Sequence, residues 1–148
     1  MTAIHSWVPV LILTVAIGLA GCTYPTASGY EVDLDGIPER NDGGFEMHGE
    51  VEVADTTAPV RNFTDVSLKF YDNDMSEITQ INLGRMSTDS SVAPIRRSFN
   101  ISLDQQPTYI ILESPDFWNS DVSVGAYRWN GGSYTYYFVT SKDERFPE

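Results

Sequence analysis

From Phe45 onward apolar side chains recur at every second position, and no helix-length stretch carries a 3.6-residue period. A period of two places alternate side chains on opposite faces of a strand, so this part of the chain can bury one face only as sheet. In FEMHGEVEV, Phe45, Met47, Gly49, Val51 and Val53 share one face, while Glu46, His48, Glu50 and Glu52 share the other. TDVSLKFY repeats the pattern with Val66, Leu68 and Phe70 inward. EITQINL, IRRSFNISL, TYIILES, VSVGAYRW and SYTYYFVTS follow, separated by Asp/Asn, Ser, Asp-Gln-Gln-Pro, Ser-Pro-Asp and Asn-Gly-Gly segments. About seven strands at this spacing predict an all-β fold, an antiparallel β-sandwich, with closure into a barrel as the alternative. The Asn130-Gly131-Gly132 segment is the strongest hairpin signal, because both residue types accept positive φ.

The N-terminal region follows a different rule. No Lys, Arg, Asp or Glu precedes Glu31, and Trp7 to Ala20 reads WVPVLILTVAIGLA. As a helix these residues would span roughly 21 Å at 1.5 Å per residue. A bilayer core is about 30 Å thick, so the stretch fits the h-region of a signal peptide better than a spanning helix. It closes with Leu19, Ala20, Gly21 and Cys22, and Cys22 is the only cysteine of the chain. This Leu-Ala-Gly-Cys ending resembles the lipobox of bacterial and archaeal lipoproteins. The resemblance implies a signal peptide over residues 1–21, lipidation of Cys22, and a membrane-lipid anchor on the extracellular face. An exported lone cysteine has no disulfide partner, which agrees with covalent chemistry outside the protein. Two acyl chains on one cysteine hold a chain to a membrane far more firmly than one.

Residues 22–44 carry Pro, Gly, Ser, Asp and Asn without a sustained apolar period, and are expected to be a tether, with the folded domain over residues 45–148. Processing at Cys22 would leave all 21 Asp and Glu on the chain, against 9 Lys and Arg. The resulting charge of −12 argues against a nucleic-acid partner. It resembles the composition of proteins from extremely halophilic archaea, in which molar salt shortens the Debye length to about 3 Å and screens self-repulsion.

Val66, Leu68, Phe70, Tyr71 and Asp72, then a polar turn, Ile78, Leu83-Gly84 and Phe99 to Leu103, resemble the extracellular FxLYD-type Ig-like domains of prokaryotic surface proteins. The resemblance covers about residues 45–113, and Met75 stands where the family carries a glycine after the Asp-rich turn. It implies an Ig-like sandwich that serves as a binding or spacer module.

Enzyme chemistry finds little support in the residues. After Cys22 the chain has one histidine, His48, and neither G-x-S-x-G nor H-E-x-x-H occurs. No cofactor is implied. Asp72, Asp74 and Glu77, with Asn73 between, are close enough in sequence to offer oxygens to a hard cation. Tyr127, Trp129, Tyr134, Tyr136 and Phe138 alternate along the last hairpin, and Tyr137 adds a ring on the opposite face. Either one face is exposed as an interaction surface for a protein or glycan, or both faces are covered. A second sheet would cover one, and the tether or the Phe117-Trp118 loop the other. Asn62-Phe63-Thr64, in an expected loop, and Asn100-Ile101-Ser102, in an expected strand, are glycosylation sequons. Together these features predict a membrane-anchored surface lipoprotein acting as a binding or assembly module, with an accessory solute-, glycan- or cation-binding lipoprotein as the alternative.

Overall fold

The computed structural model describes residues 30–41, 44–55, 59–118 and 121–147. The expected signal peptide, Leu19, Ala20, Gly21 and Cys22 lie outside them. All seven expected strands form, as β2 (Gly44–Asp55), β3 (Asn62–Tyr71), β4 (Glu77–Ser87), β5 (Arg96–Leu103), β6 (Tyr109–Glu113), β7 (Val122–Trp129) and β8 (Tyr134–Val139). An additional strand precedes them, β1 (Tyr30–Asn41). The tether expected over 22–44 is corrected accordingly for residues 30–41. Tyr30, Val32 and Leu34 alternate with Glu31, Asp33 and Asp35, and that short period suffices because β2 supplies a partner along its whole length. Tyr30, Val32 and Leu34 are buried.

The strands form a continuous sheet in the order β4-β3-β6-β7-β1-β2-β5, with β8 added alongside β7. Neighbours pair antiparallel except β1 and β7, which run parallel over Tyr30–Val32 against Val122–Val124. The two ends of the sheet, β4 and β5, curl until they touch at a few positions. The architecture is therefore all-β, as the periodicity predicts, and nearly barrel-shaped.

Beyond Val32, β1 leaves β7 and crosses the inner face of the β7–β8 hairpin. Gly125 marks the crossing, since a β-carbon there would lie 2.2 Å from Tyr136 Oη and 2.9 Å from the Leu34 amide nitrogen. The Tyr127 hydroxyl donates to the carbonyls of Gly36 and Leu34, at 3.0 and 3.3 Å. A side chain thus partners the edge of β1 where the ladder has stopped, as buried backbone acceptors require.

The interior is filled by the inward side chains of all the strands. Phe45, Phe63, Phe70 and Phe117 are fully buried, and Phe63 meets Phe117 edge-on with centroids 5.3 Å apart. Burial of each such ring or of a Leu or Val contributes about 1.5–3 kcal/mol. A second, smaller core lies outside the barrel, where Tyr71, Tyr109, Ile111, Ala126 and Val139 are covered by Trp118, Tyr137 and Phe146. Residues 109–112 of β6 are consequently buried on both faces. Among the described residues, two other than glycine adopt left-handed backbone, Asp65 (φ 48°) at an irregularity of β3 and Met75 (φ 61°) in the β3–β4 turn.

Candidate functional site

The aromatic hairpin is a structural element in this fold. Register places Trp129 opposite Tyr134, Tyr127 opposite Tyr136 and Gly125 opposite Phe138, so the five rings share one face. At three of the five rings that face points inward. Tyr127, Tyr134 and Tyr136 pack against the main core. Tyr134 donates to the Pro107 carbonyl at 2.6 Å and Tyr136 to Asp33 Oδ1 at 2.5 Å. Burial pushes the Tyr134 and Tyr136 hydroxyls well above the usual tyrosine range, with Asp33 adding to the effect at Tyr136, so both remain protonated donors. Phe138 is the ring of the five with a largely open surface, at 49% exposure. The opposite face, with Tyr137, is covered by the outer core. The stripe expected from the five rings is thus covered at Tyr127, Tyr134 and Tyr136 and open at Phe138, while Trp118 and Phe146 lie over the other face.

The Asp-rich turn also has a structural use. Asp72 Oδ1 accepts the amides of Asp74 and Ser76, each at 2.9 Å, and Glu77 is held by Lys69 at 2.9 Å. Among the described residues no three His, Cys, Asp or Glu side chains gather as a metal would need. Of the residues expected to hold a cation, Asp72 commits one oxygen to the turn and Glu77 one to a lysine. Asn62 opens β3 instead of lying in a loop, and both Asn62 and Asn100 are exposed.

The most developed polar site lies on the outer face of β3 and β6, where period two turns Ser67, Lys69 and Tyr71 outward beside Glu113. Glu113 sits half-buried among three donors. Tyr71 Oη donates to Oε1 at 2.7 Å, Arg145 Nη1 donates to the same oxygen at 2.5 Å, and Lys69 Nζ lies 3.5 Å from Oε2. Burial alone would raise its pKa, but the Tyr71 hydroxyl, Arg145 and Lys69 outweigh burial and hold the carboxyl below its ordinary value of 4.5. Lys69 is shifted upward, chiefly by its hydrogen bond to Glu77.

The C-terminal segment completes the site. A 3-10 turn, Lys142–Glu144, brings Arg145 and Phe146 back over the sheet. Phe146 packs edge-on to Tyr71 and Tyr109, both with centroids 5.1 Å away. The Tyr137 hydroxyl donates to the Arg145 carbonyl at 2.7 Å. Between this segment, Trp118 and the sheet runs a cleft of about 480 Å3, lined by Lys69, Lys142, Arg145, Asp65, Gln80 and Trp118, among others. Both lysines of the chain meet here. Among the described residues Lys142 makes no ion pair, and Arg145 spends Nη1 on Glu113 and Nε on the Lys142 carbonyl.

Sequence reasoning did not find this site. One signal was present, an outward lysine in a strand of an otherwise acidic chain. The tail KDERFPE gave no period to read. No protein-family model, curated protein or solved structure matches the chain.

Proposed function

We propose that the chain is a lipid-anchored envelope protein whose β domain acts by binding, as a recognition or assembly module on the extracellular face. The observation that carries the reading is the Leu19-Ala20-Gly21-Cys22 ending of the apolar stretch, placed eight positions before Tyr30 of β1. Among the described residues the sheet begins at Tyr30, so eight residue steps of at most about 3.5 Å leave no more than about 28 Å between Cys22 and that residue. A chain lipidated at Cys22 would hold the Tyr30 end of the sheet at the membrane. The turns at 72–76 and 130–133 lie at the opposite end and would face outward.

The Ig-like reading of the fold is supported by strand order. β1, β2 and β5 correspond to strands A, B and E of an Ig domain, and β4, β3, β6 and β7 to C′, C, F and G. The parallel β1–β7 contact joins the two groups, and β8 is an addition. The FxLYD-type resemblance is supported by Val66, Leu68 and Phe70 pointing into the core. It is supported also by Met75, which takes the left-handed conformation at the position of the family's glycine.

Fractionation of cells carrying the native or the Cys22→Ser chain tests the anchor. We expect the native chain in membranes and the variant in the medium or unprocessed. A processed, membrane-bound variant would defeat the proposal. Cross-linking of intact cells then asks for a neighbour, a protein or a glycan, that the unanchored chain loses.

A further inference from the structure

We propose that the cleft between Trp118, β3 and the C-terminal turn binds a carboxylate-bearing sugar unit. The inference rests on the reading of the chain as a binding module and names the class of ligand. Its volume, about 480 Å3, falls in the range of about 300–1,000 Å3 found for ligand pockets. Its cations are out of proportion to the chain. With 9 Lys and Arg against 21 Asp and Glu, both lysines and Arg145 converge on this cleft.

Their charges are not all consumed. Glu113 and Glu77 hold Lys69, and Glu113 holds Arg145, but Lys142 has no ion-pair partner among the described residues. One ammonium, that of Lys142, therefore remains for a ligand carboxylate. The other wall is chemically different. Trp118 offers an apolar ring of the kind on which the C–H groups of a sugar stack, and the Arg145 guanidinium carbon lies 5.7 Å from its ring centroid. Asp65 and Gln80 stand at the rim with the acceptors and donors that sugar hydroxyls take. Asp65 is held there in left-handed backbone, a conformation that a β-carbon disfavours, by a bulge whose Thr64 amide and hydroxyl both donate to Asp116 at 2.7 Å. A simple anion would need the cations alone, whereas the apolar wall and the polar rim together match an acidic sugar.

The test is calorimetry of the full-length chain in detergent micelles at fixed ionic strength, with digalacturonate as the probe. Neutral digalactose, acetate and inorganic phosphate are compared, and the Trp118 indole N–H resonance is followed in parallel. We expect saturable binding of digalacturonate with a shift of the Trp118 signal, and binding at least about tenfold weaker for digalactose, which is about 1.4 kcal/mol. Lys142→Glu, an exposed position without ion pairs, should weaken digalacturonate binding about tenfold or more. Gln80→Ala should weaken it about threefold with the fold intact. No saturable heat at millimolar digalacturonate, equal binding of acetate or phosphate, or a Lys142→Glu chain that binds as the native one does would each overturn the proposal. The two readings fail separately. A native chain found in the medium defeats the anchor and leaves the cleft, and an anchored chain that ignores digalacturonate defeats the cleft and leaves the anchor.

Discussion

The two outward surfaces of the barrel carry opposite electrostatic arrangements. On β1 and β2, Asp33 faces Glu52, Asp35 faces Glu50 and Glu39 faces Glu46, three like-charged pairs in direct cross-strand register. Arg96 of β5 answers Glu52 at 2.8 Å and Glu50 at 3.6 Å. On β3 and β6 the carboxylate of Glu113 is surrounded by Tyr71, Lys69 and Arg145. Directly opposed like charges destabilise a sheet by roughly 0.2–1 kcal/mol per pair. Asp33 takes the Tyr136 hydroxyl, but Asp35, Glu39 and Glu46 have no ion pair among the described residues, so the acidic side leans on solvent where the cleft side is paired within the protein. Net charge alone would have suggested a uniformly acidic shell.

The largest effect should come from separating the two halves. Gly125→Val would drive a side chain into Tyr136 and the β1 backbone, and overpacking of this kind costs about 1–3 kcal/mol. A urea titration should show the midpoint falling by the corresponding amount. An unchanged midpoint would mean that β1, and the acidic surface with it, is not held by the hairpin as described.

Next in size is Glu113→Gln, which leaves Arg145 and Lys69 without their shared half-buried carboxylate. The expected loss is about 2 kcal/mol, and it should persist in 1 M salt because burial limits screening. It also has a pH signature. The folded pKa of Glu113 is depressed, so its stabilisation is complete above the unfolded value of about 4.5 and disappears as pH falls through the folded value. The native chain should therefore lose stability on acidification below that point, and Glu113→Gln should lose less. Equal acid sensitivity of the two chains would remove Glu113 from the account.

On the other surface the sign reverses. Asp35→Lys converts one repelling pair into an attracting one and should stabilise the fold by about 0.5–1 kcal/mol in dilute buffer, with little left in 1 M salt. A gain that survives molar salt would show the acidic side to be something other than a screened surface. Smallest of all, Met75→Gly should stabilise by about 0.5 kcal/mol regardless of salt, since it relieves left-handed backbone in the turn between β3 and β4 without touching charge. Thermal melts at low and high salt distinguish these last two variants.

Much of the fold was legible because alternation is a local property. Val66, Leu68 and Phe70, or Phe45, Met47, Val51 and Val53, announce an inward face whatever lies opposite, and they are buried. β1 escaped because its apolar period is only three residues long, and its partner β2 decides that it is a strand. The aromatic hairpin was legible as a hairpin but not as an interior one. Tyr127 and Tyr136 look the same in sequence whether they face solvent or satisfy the edge of β1. The Asp72 turn shows the same limit, since oxygens spaced for a cation are also spaced to cap their own backbone.

What the sequence determined by itself was the all-β class, seven of the strands, the inward faces of β2 and β3 and the hairpin at Asn130, all carried by neighbours two to four residues apart. The cleft belongs to the tertiary structure. Lys69, Glu113, Trp118, Lys142 and Arg145 are separated by up to 76 positions and meet only because β3 pairs with β6 and the C-terminal turn packs Phe146 onto Tyr71 and Tyr109. Short-range alternation chooses which face of a strand is wet, but long-range pairing chooses what shares that wet face.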